Sequence, residues 1–154
     1  MTKMTTLKLG NIAPNFELPG QDNQPRKISD FRGKWVLLYF YPKDDTPGCT
    51  TEACGLRDDI NAFRGLKATV VGASFDSIES HKKFIAKYNL PFPLIADQEK
   101  TVAKAFGVSG HLVPDRATFV IGKDGTILYA NPSVNPKTHS QEIRDVLAKI
   151  TSGN

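Results

Sequence analysis

Two cysteines, Cys49 and Cys54, are the only thiols of this 154-residue chain. They stand five positions apart, in the stretch YFYPKDDTPGCTTEACGLRDD (residues 39–59), where an apolar run gives way to a turn and then to a charged helical pattern. Thr46-Pro47-Gly48 reads as a tight turn that opens a helix, which places Cys49 in the first helical turn. Unpaired backbone N–H groups and the positive end of the helix dipole favour a thiolate there over a thiol. Nucleophilic or redox chemistry is what such a position suits. A free thiol titrating near 8.5 needs roughly 3.4 kcal/mol of preference for its thiolate to titrate near 6. A helix terminus supplies at most about 2 kcal/mol, so a cation must complete such a site. Lys43, Arg57 and Arg116 are the candidates. Arg57 is eight positions on, roughly 12 Å along the helix, and too far. Arg116 immediately precedes the apolar run ATFVI and can project from a strand end into the same cleft; its plain alternative is a surface salt bridge.

Three readings of the cysteine pair compete: a structural disulfide, two small buried apolar side chains, and redox exchange. Positions five apart on an ideal helix have Cα atoms roughly 8.6 Å apart and side chains about 140° apart, whereas a disulfide wants about 4.4–6.8 Å. A bond between them is therefore incompatible with an intact helix. As a staple it would close about six residues for roughly 2 kcal/mol while breaking the helix start. As a transient bond it makes better sense, because the strain that unwinds the helix also makes the bond easy to reduce. Two thiols at this spacing with no neighbouring histidine do not form a zinc ligand set, and neither a metal nor a cofactor is expected.

The elements that must position these residues follow from periodicity. Residues 1–33 are punctuated by Gly10, Pro14, Pro19, Gly20, Pro25 and Gly33, which suits short strands or a hairpin. KWVLLYFY (34–41) is continuously apolar, the pattern of a central strand covered on both faces. Over 50–64, Ala53, Leu56, Ile60 and Phe63 recur at helical spacing, with Gly65 as the expected C-cap. Residues 68–75 read as a second buried strand, and Asp76 with Glu79 as the capped start of a helix to about Tyr88. A short extended piece at 94–96 and a short helix from the Asp97 cap to Phe106, closed by Gly107, come next. Strands at 117–121 and 126–130 flank a Gly-Lys-Asp-Gly turn. A closing helix runs from Thr138 to Ile150, with a Thr-x-x-Gln capping box. The expected architecture is α/β, a central mixed sheet flanked by helices, in a single domain over 1–154.

Charge and hydropathy exclude other classes. The net charge of +4 is spread over segments in which Lys and Arg alternate with Asp and Glu, so nucleic-acid binding is not expected. No apolar run approaches the roughly 18 residues of a membrane span. The opening residues carry neither an apolar signal core nor the arginines of a transit peptide, which makes a cytoplasmic location the expectation and a removed organelle transit peptide the alternative. His81, His111 and His139 are scattered and expected at the surface, with His111 alone near the cysteines. Phe75, Phe92 and Leu112 suit either core or a hydrophobic entrance.

Pro42-Lys-Asp-Asp-Thr46-Pro-Gly-Cys49-Thr-Thr-Glu52 resembles the Pro-x-x-x-Thr-x-x-Cys signature of peroxiredoxins. With its second cysteine five residues on, the chain is similar to the bacterioferritin comigratory protein or PrxQ group, of atypical 2-Cys type. APNFELPG, DFRGKWVLLYFYP, VVGASFDS and DRATFVIGKDG extend the likeness over nearly the whole chain. The resemblance implies a thioredoxin-like fold with an N-terminal strand or hairpin extension. It implies hydroperoxide substrates, and thioredoxin or a similar dithiol as reductant. Cys49 would be the peroxidatic residue and Cys54 the resolving one, with Thr46, Pro42 and Arg116 completing the site. Gly48 would let backbone N–H groups approach the substrate. Glu52 would orient Arg116, an exposed helix carboxylate being its plain alternative. A monomer is expected, with a weak homodimer as the alternative. The Gly-Gly-Leu-Gly insert and C-terminal Tyr-Phe helix of peroxide-sensitive relatives are absent from the sequence, which implies slow over-oxidation. A thioredoxin-like disulfide oxidoreductase fits less well, because Cys-x-x-Cys is missing; a redox-signalling adaptor using the same thiols stays open.

Overall fold

The computed structural model describes residues 9–152. Residues 1–8, on which the N-terminal leader reading partly rests, and 153–154 lie outside that description. A two-residue pairing of β1 (Leu18–Pro19) with β2 (Pro25–Arg26) forms the expected N-terminal hairpin. The main sheet comprises β3 (Trp35–Phe40), β4 (Ala68–Ser74), β5 (Leu94–Ala96), β6 (Ala117–Ile121) and β7 (Ile127–Asn131), in the order β5-β4-β3-β6-β7. Strands β3, β4 and β5 run parallel, while β6 and β7 are antiparallel to their neighbours.

The aromatic and branched run WVLLYF can form the middle strand because both of its faces are covered: all six residues are buried. Strand alternation then sorts the core into two layers. Trp35, Leu37, Tyr39 and Tyr41 pack with Cys49, Ala53, Leu56, Phe63, Phe84, Ile143 and Leu147, the inner faces of α1 (Pro47–Asp58), α2 (Ile60–Gly65), α3 (Ile78–Tyr88) and α5 (His139–Ser152). Val36, Leu38 and Phe40 pack on the other side with Val71, Val102, Phe106 and Phe119, against α4 (Thr101–Ala105). Cys49 therefore belongs to the α1 side of the sheet. No helix among the described residues is long and apolar enough to cross a membrane.

The structure shifts several expected boundaries. The helical pattern over 50–64 belongs to a helix that opens at Pro47, where the turn reading puts its start, but it is interrupted at Asp59, whose carboxylate accepts from the Ser140 hydroxyl at 2.6 Å and lies 3.3 Å from Arg144 Nε. The left-handed residue after α2 is Lys67 (φ 60°), not Gly65. Ser77, not Asp76, caps α3, accepting from the Ser80 N–H at 3.1 Å. Asp76 instead turns back to the sheet end, accepting from the Ser74 hydroxyl at 2.7 Å and the Asp44 N–H at 2.8 Å. Asp97 does satisfy helix N–H groups, those of Val102 and Ala103, from further upstream than expected. The side chain of Gln141 reaches forward to Asp145 at 2.8 Å, so it does not close the expected capping box.

Candidate active site

The C-terminal end of β3 runs into the loop 41–46, which delivers the chain to α1. This loop is fastened from below by a buried polar anchor. Asp44 accepts from the Tyr41 hydroxyl at 2.6 Å and the Ser80 hydroxyl at 2.8 Å, and its Oδ2 lies 2.7 Å from His81 Nδ1. His81 Nε2 in turn lies 2.9 Å from the Ile95 carbonyl. Burial first, then the neighbouring Asp44 carboxylate, pushes the Tyr41 hydroxyl well above its ordinary range, so it stays a donor. Asp44, Asp76 and His81 bring ligand-type atoms within 4.8 Å of one another, but hydrogen bonds within the protein already occupy these atoms. His81 is fully buried, a correction to its expected surface position: the carboxylate on the loop and the carbonyl on β5 satisfy the ring that helix periodicity alone assigned to solvent. On the outer side, Asp45 takes a left-handed turn (φ 56°) and accepts from Lys87 and Tyr88, each at 2.8 Å.

Thr46 is the extended N-cap of α1 and Pro47 its first residue, as the turn reading requires. The Thr46 hydroxyl donates to the Lys43 carbonyl at 2.8 Å and does not cap the helix. Cys49 lies in the first helical turn at 1% exposure, its Sγ accepting from the Lys43 N–H at 3.5 Å. Lys43 thus contributes a backbone donor, while its side chain belongs to an exposed residue. Arg57 is engaged with Asp58 and the Tyr88 carbonyl, on the Cys54 side of the helix.

Arg116, just ahead of β6, donates from Nη1 to Glu52 Oε1 at 2.8 Å. Its Nη2 lies 2.6 Å from where a Cβ on Gly48 would stand. The glycine beside Cys49 is therefore the opening through which the guanidinium reaches the helix start. Glu52 is fully buried, which corrects the exposed alternative: its position one turn after Cys49 on the same helix points it inward, where a cation offsets its burial. The other oxygen, Oε2, lies 2.9 Å from Nδ1 of His139, the first residue of α5. His139 is likewise fully buried and not at the surface as expected. The Tyr39 hydroxyl is buried beside this group without a hydrogen-bond partner among the described residues. Burial, then Glu52 and Cys49, pushes it well above its ordinary range and keeps it neutral.

Pro42 and Arg116 line a cleft of about 240 Å³ together with Val113, Pro114, Asp115 and Val134. The structure thus brings Pro42, Thr46, Gly48, Cys49, Glu52 and Arg116 around one helix start, while Cys54 sits half-buried five residues, about 1.4 turns, further along. Both cysteines are free thiols. Of the three apolar residues considered for an entrance, Phe92 is core, packed edge-on to Tyr39; Phe75 is half-buried and Leu112 is 83% exposed. His111 is exposed, on a loop whose carbonyl accepts from Lys100. Sequence reasoning missed the inward roles of His81 and His139, and the only signal available was their place near helix starts, which many surface histidines share.

Residues 9–130 match the model of the AhpC/TSA family. The chain is 43% identical to Peroxiredoxin Bcp of Bacillus subtilis, over 95% of this chain and 98% of that one. It is 43% identical to the chloroplastic Peroxiredoxin Q of Sedum lineare, over 92% of this chain and 78% of that one. Among solved structures, Mycobacterium tuberculosis peroxidoxin BcpB superposes with a TM-score of 0.88 at 36% identity, covering 94% of this chain and 98% of that one. The Xanthomonas campestris bacterioferritin comigratory protein, whose structure was described for its alkyl peroxide reduction activity, gives 0.87 at 28% identity, covering 96% and 99%. A buried cysteine at a helix start, a thioredoxin-like sheet, a family model matched over residues 9–130 and relatives matched over most of their length make this chain a member of the AhpC/TSA family, a thiol-dependent peroxidase of the Bcp/PrxQ peroxiredoxins.

Proposed function

We propose that Cys49 is the peroxidatic residue and Cys54 the resolving residue of an intramolecular disulfide cycle acting on hydrogen peroxide and organic hydroperoxides. The observation that carries this reading is the placement of Cys49 in the first turn of α1, beside a glycine against which the Arg116 guanidinium rests. The thiolate attacks one peroxide oxygen, the O–O bond breaks, Cys49 becomes a sulfenic acid, and the leaving oxygen takes a proton to give water or alcohol. Arg116 stabilises the charge that moves onto the departing oxygen. The Thr46 hydroxyl, already donating to Lys43, presents its lone pairs to the peroxide hydrogen. Pro42 forms a wall of the cleft and limits water at the sulfur. The Cys54 thiol then condenses with the sulfenic acid, releasing water. Both cysteines lie within the continuous helix Pro47–Asp58, so this second step requires α1 to unwind. Family members act on peroxides with a thioredoxin-type reductant; thioredoxin itself is the proposed partner here, with the protein working as a cytoplasmic monomer.

The Cys54→Ser variant is expected to consume one equivalent of peroxide and stop, with Cys49 trapped as a sulfenic acid that dimedone labels. Wild-type protein under the same conditions should give the internal disulfide by mass spectrometry. Sustained thioredoxin-dependent turnover by Cys54→Ser would remove Cys54 from the cycle. Gly48→Ala should displace the guanidinium, because the new Cβ would meet it at 2.6 Å. The expected loss in peroxide reaction rate is about a hundredfold, measured by stopped-flow fluorescence. The melting temperature should fall too, but by less than the roughly 6–12 °C expected when the guanidinium is removed altogether, because the shifted side chain can still reach Glu52.

A further inference from the structure

His139 has no place in the cycle as described, yet it is buried against it. Its Nδ1 lies 2.9 Å from Glu52 Oε2, its ring centroid lies 5.6 Å from that of Tyr39, and neither group is exposed. The Glu52 contact lies too far off the ring N–H axis to be a hydrogen bond, and among the described residues neither ring nitrogen has another hydrogen-bond partner. A neutral ring gains little from such a contact, whereas an imidazolium gains a coulombic attraction that does not depend on direction. Tyr39 adds no charge, because burial keeps its hydroxyl neutral. On the histidine's own helix, Glu142 is turned towards Tyr129 and Asn131. Asp44, whose field reaches Tyr39, is paired with His81, and Asp59, beside Ser140, is paired with Arg144; the charges left to consider are Cys49, Glu52 and Arg116.

With Cys49 as a thiolate these three sum to one negative charge in a buried site, and an imidazolium at His139 brings the sum to zero. With the sulfur neutral, Glu52 and Arg116 already cancel, and a proton on His139 is in excess. We infer that His139 is a positioning residue of this peroxidase, holding a proton while Cys49 is a thiolate and releasing it when the sulfur is oxidised. By neutralising Glu52 it leaves the Arg116 field to act on the sulfur. The inference rests on the reading of Cys49 as peroxidatic. The step balances: the S–O bond forms and the O–O bond breaks, sulfur gives two electrons to the leaving oxygen, that oxygen takes a proton from solvent, and His139 returns one to solvent.

The test uses reduced Cys54→Ser protein, in which iodoacetamide reports on Cys49 alone. Adding His139→Gln is expected to move the alkylation-versus-pH curve upward by about one unit, so that alkylation on its rising limb is about tenfold slower. With Glu52→Gln also present, the His139→Gln effect should vanish, because the carboxylate it offsets is gone. An unmoved curve, or an equal shift with and without Glu52→Gln, overturns the inference. If His139→Gln does not fold, imidazole NMR of Cys54→Ser protein at fixed pH decides: one equivalent of peroxide should convert the His139 ring, assigned through its contact with Tyr39, from charged to neutral. No change overturns the inference. Failure of dimedone to label Cys49 would instead sink the peroxidatic reading, and the alkylation curve reports independently of that result.

Discussion

Cys49→Ser is expected to reduce peroxide consumption at least about a thousandfold, to the level of buffer. The reason is electronic before it is structural. Peroxide reduction needs an atom that can accept an oxygen and give up two electrons; sulfur does this and a serine oxygen does not. The fold should survive the change, because the side chain is nearly isosteric and the Lys43 N–H, 3.5 Å from Sγ, keeps an oxygen acceptor in reach. A thermal melt within roughly a few degrees of wild type would show that chemistry alone was lost. The assay is peroxide consumption with thioredoxin and its reductase in excess. Retained turnover would move the nucleophile to Cys54 and overturn the proposed cycle.

Arg116→Ala is expected to damage both rate and stability, by separable routes. The guanidinium is the cation at the helix start, and removing such a donor costs about a hundred- to a thousandfold in rate. It also holds one oxygen of Glu52, which has no solvent exposure. Taking the cation from one oxygen of a buried carboxylate, with only His139 left beside the other, costs up to about 3 kcal/mol, or a melting temperature lower by up to about 6–12 °C for a chain of this size. Glu52→Gln in the same protein removes the stranded charge, so the double variant should regain most of the thermal midpoint and none of the rate. Recovery of both together would mean that Arg116 acts only as a structural partner of Glu52. Peroxide kinetics and differential scanning calorimetry on the two variants separate these outcomes.

Much of the scaffold was legible because it follows from local rules. The unbroken apolar run at 35–40 could only be a strand covered on both faces, and strand parity then assigns Tyr39 and Tyr41 to the layer that holds Cys49. Thr46-Pro47-Gly48 marked the helix start because proline at its first position costs no hydrogen bond. The residues surrounding the thiol were legible in part, through Arg116 and the turn. What escaped was set by partners far away in sequence. His81 and His139 read as surface residues because helix periodicity says nothing about a carboxylate arriving from another element, Asp44 for one and Glu52 for the other. Gly48 read as a backbone opening for substrate, and its place beneath a guanidinium 68 positions on has no local signature. The interruption at Asp59 likewise depends on Ser140 and Arg144 of the last helix.

That interruption divides what periodicity read as one long helix into two separate ones. A twelve-residue helix is about the length at which an isolated segment no longer sustains itself in water. Once α1 loses its contacts at the first turns, it can melt as a block. Asp59, held by α5, marks the boundary between that segment and α2 with its Phe63 core contact. On the proposed cycle α1 comes apart in every round, and a far end fixed by Asp59 gives the helix a point from which to rewind.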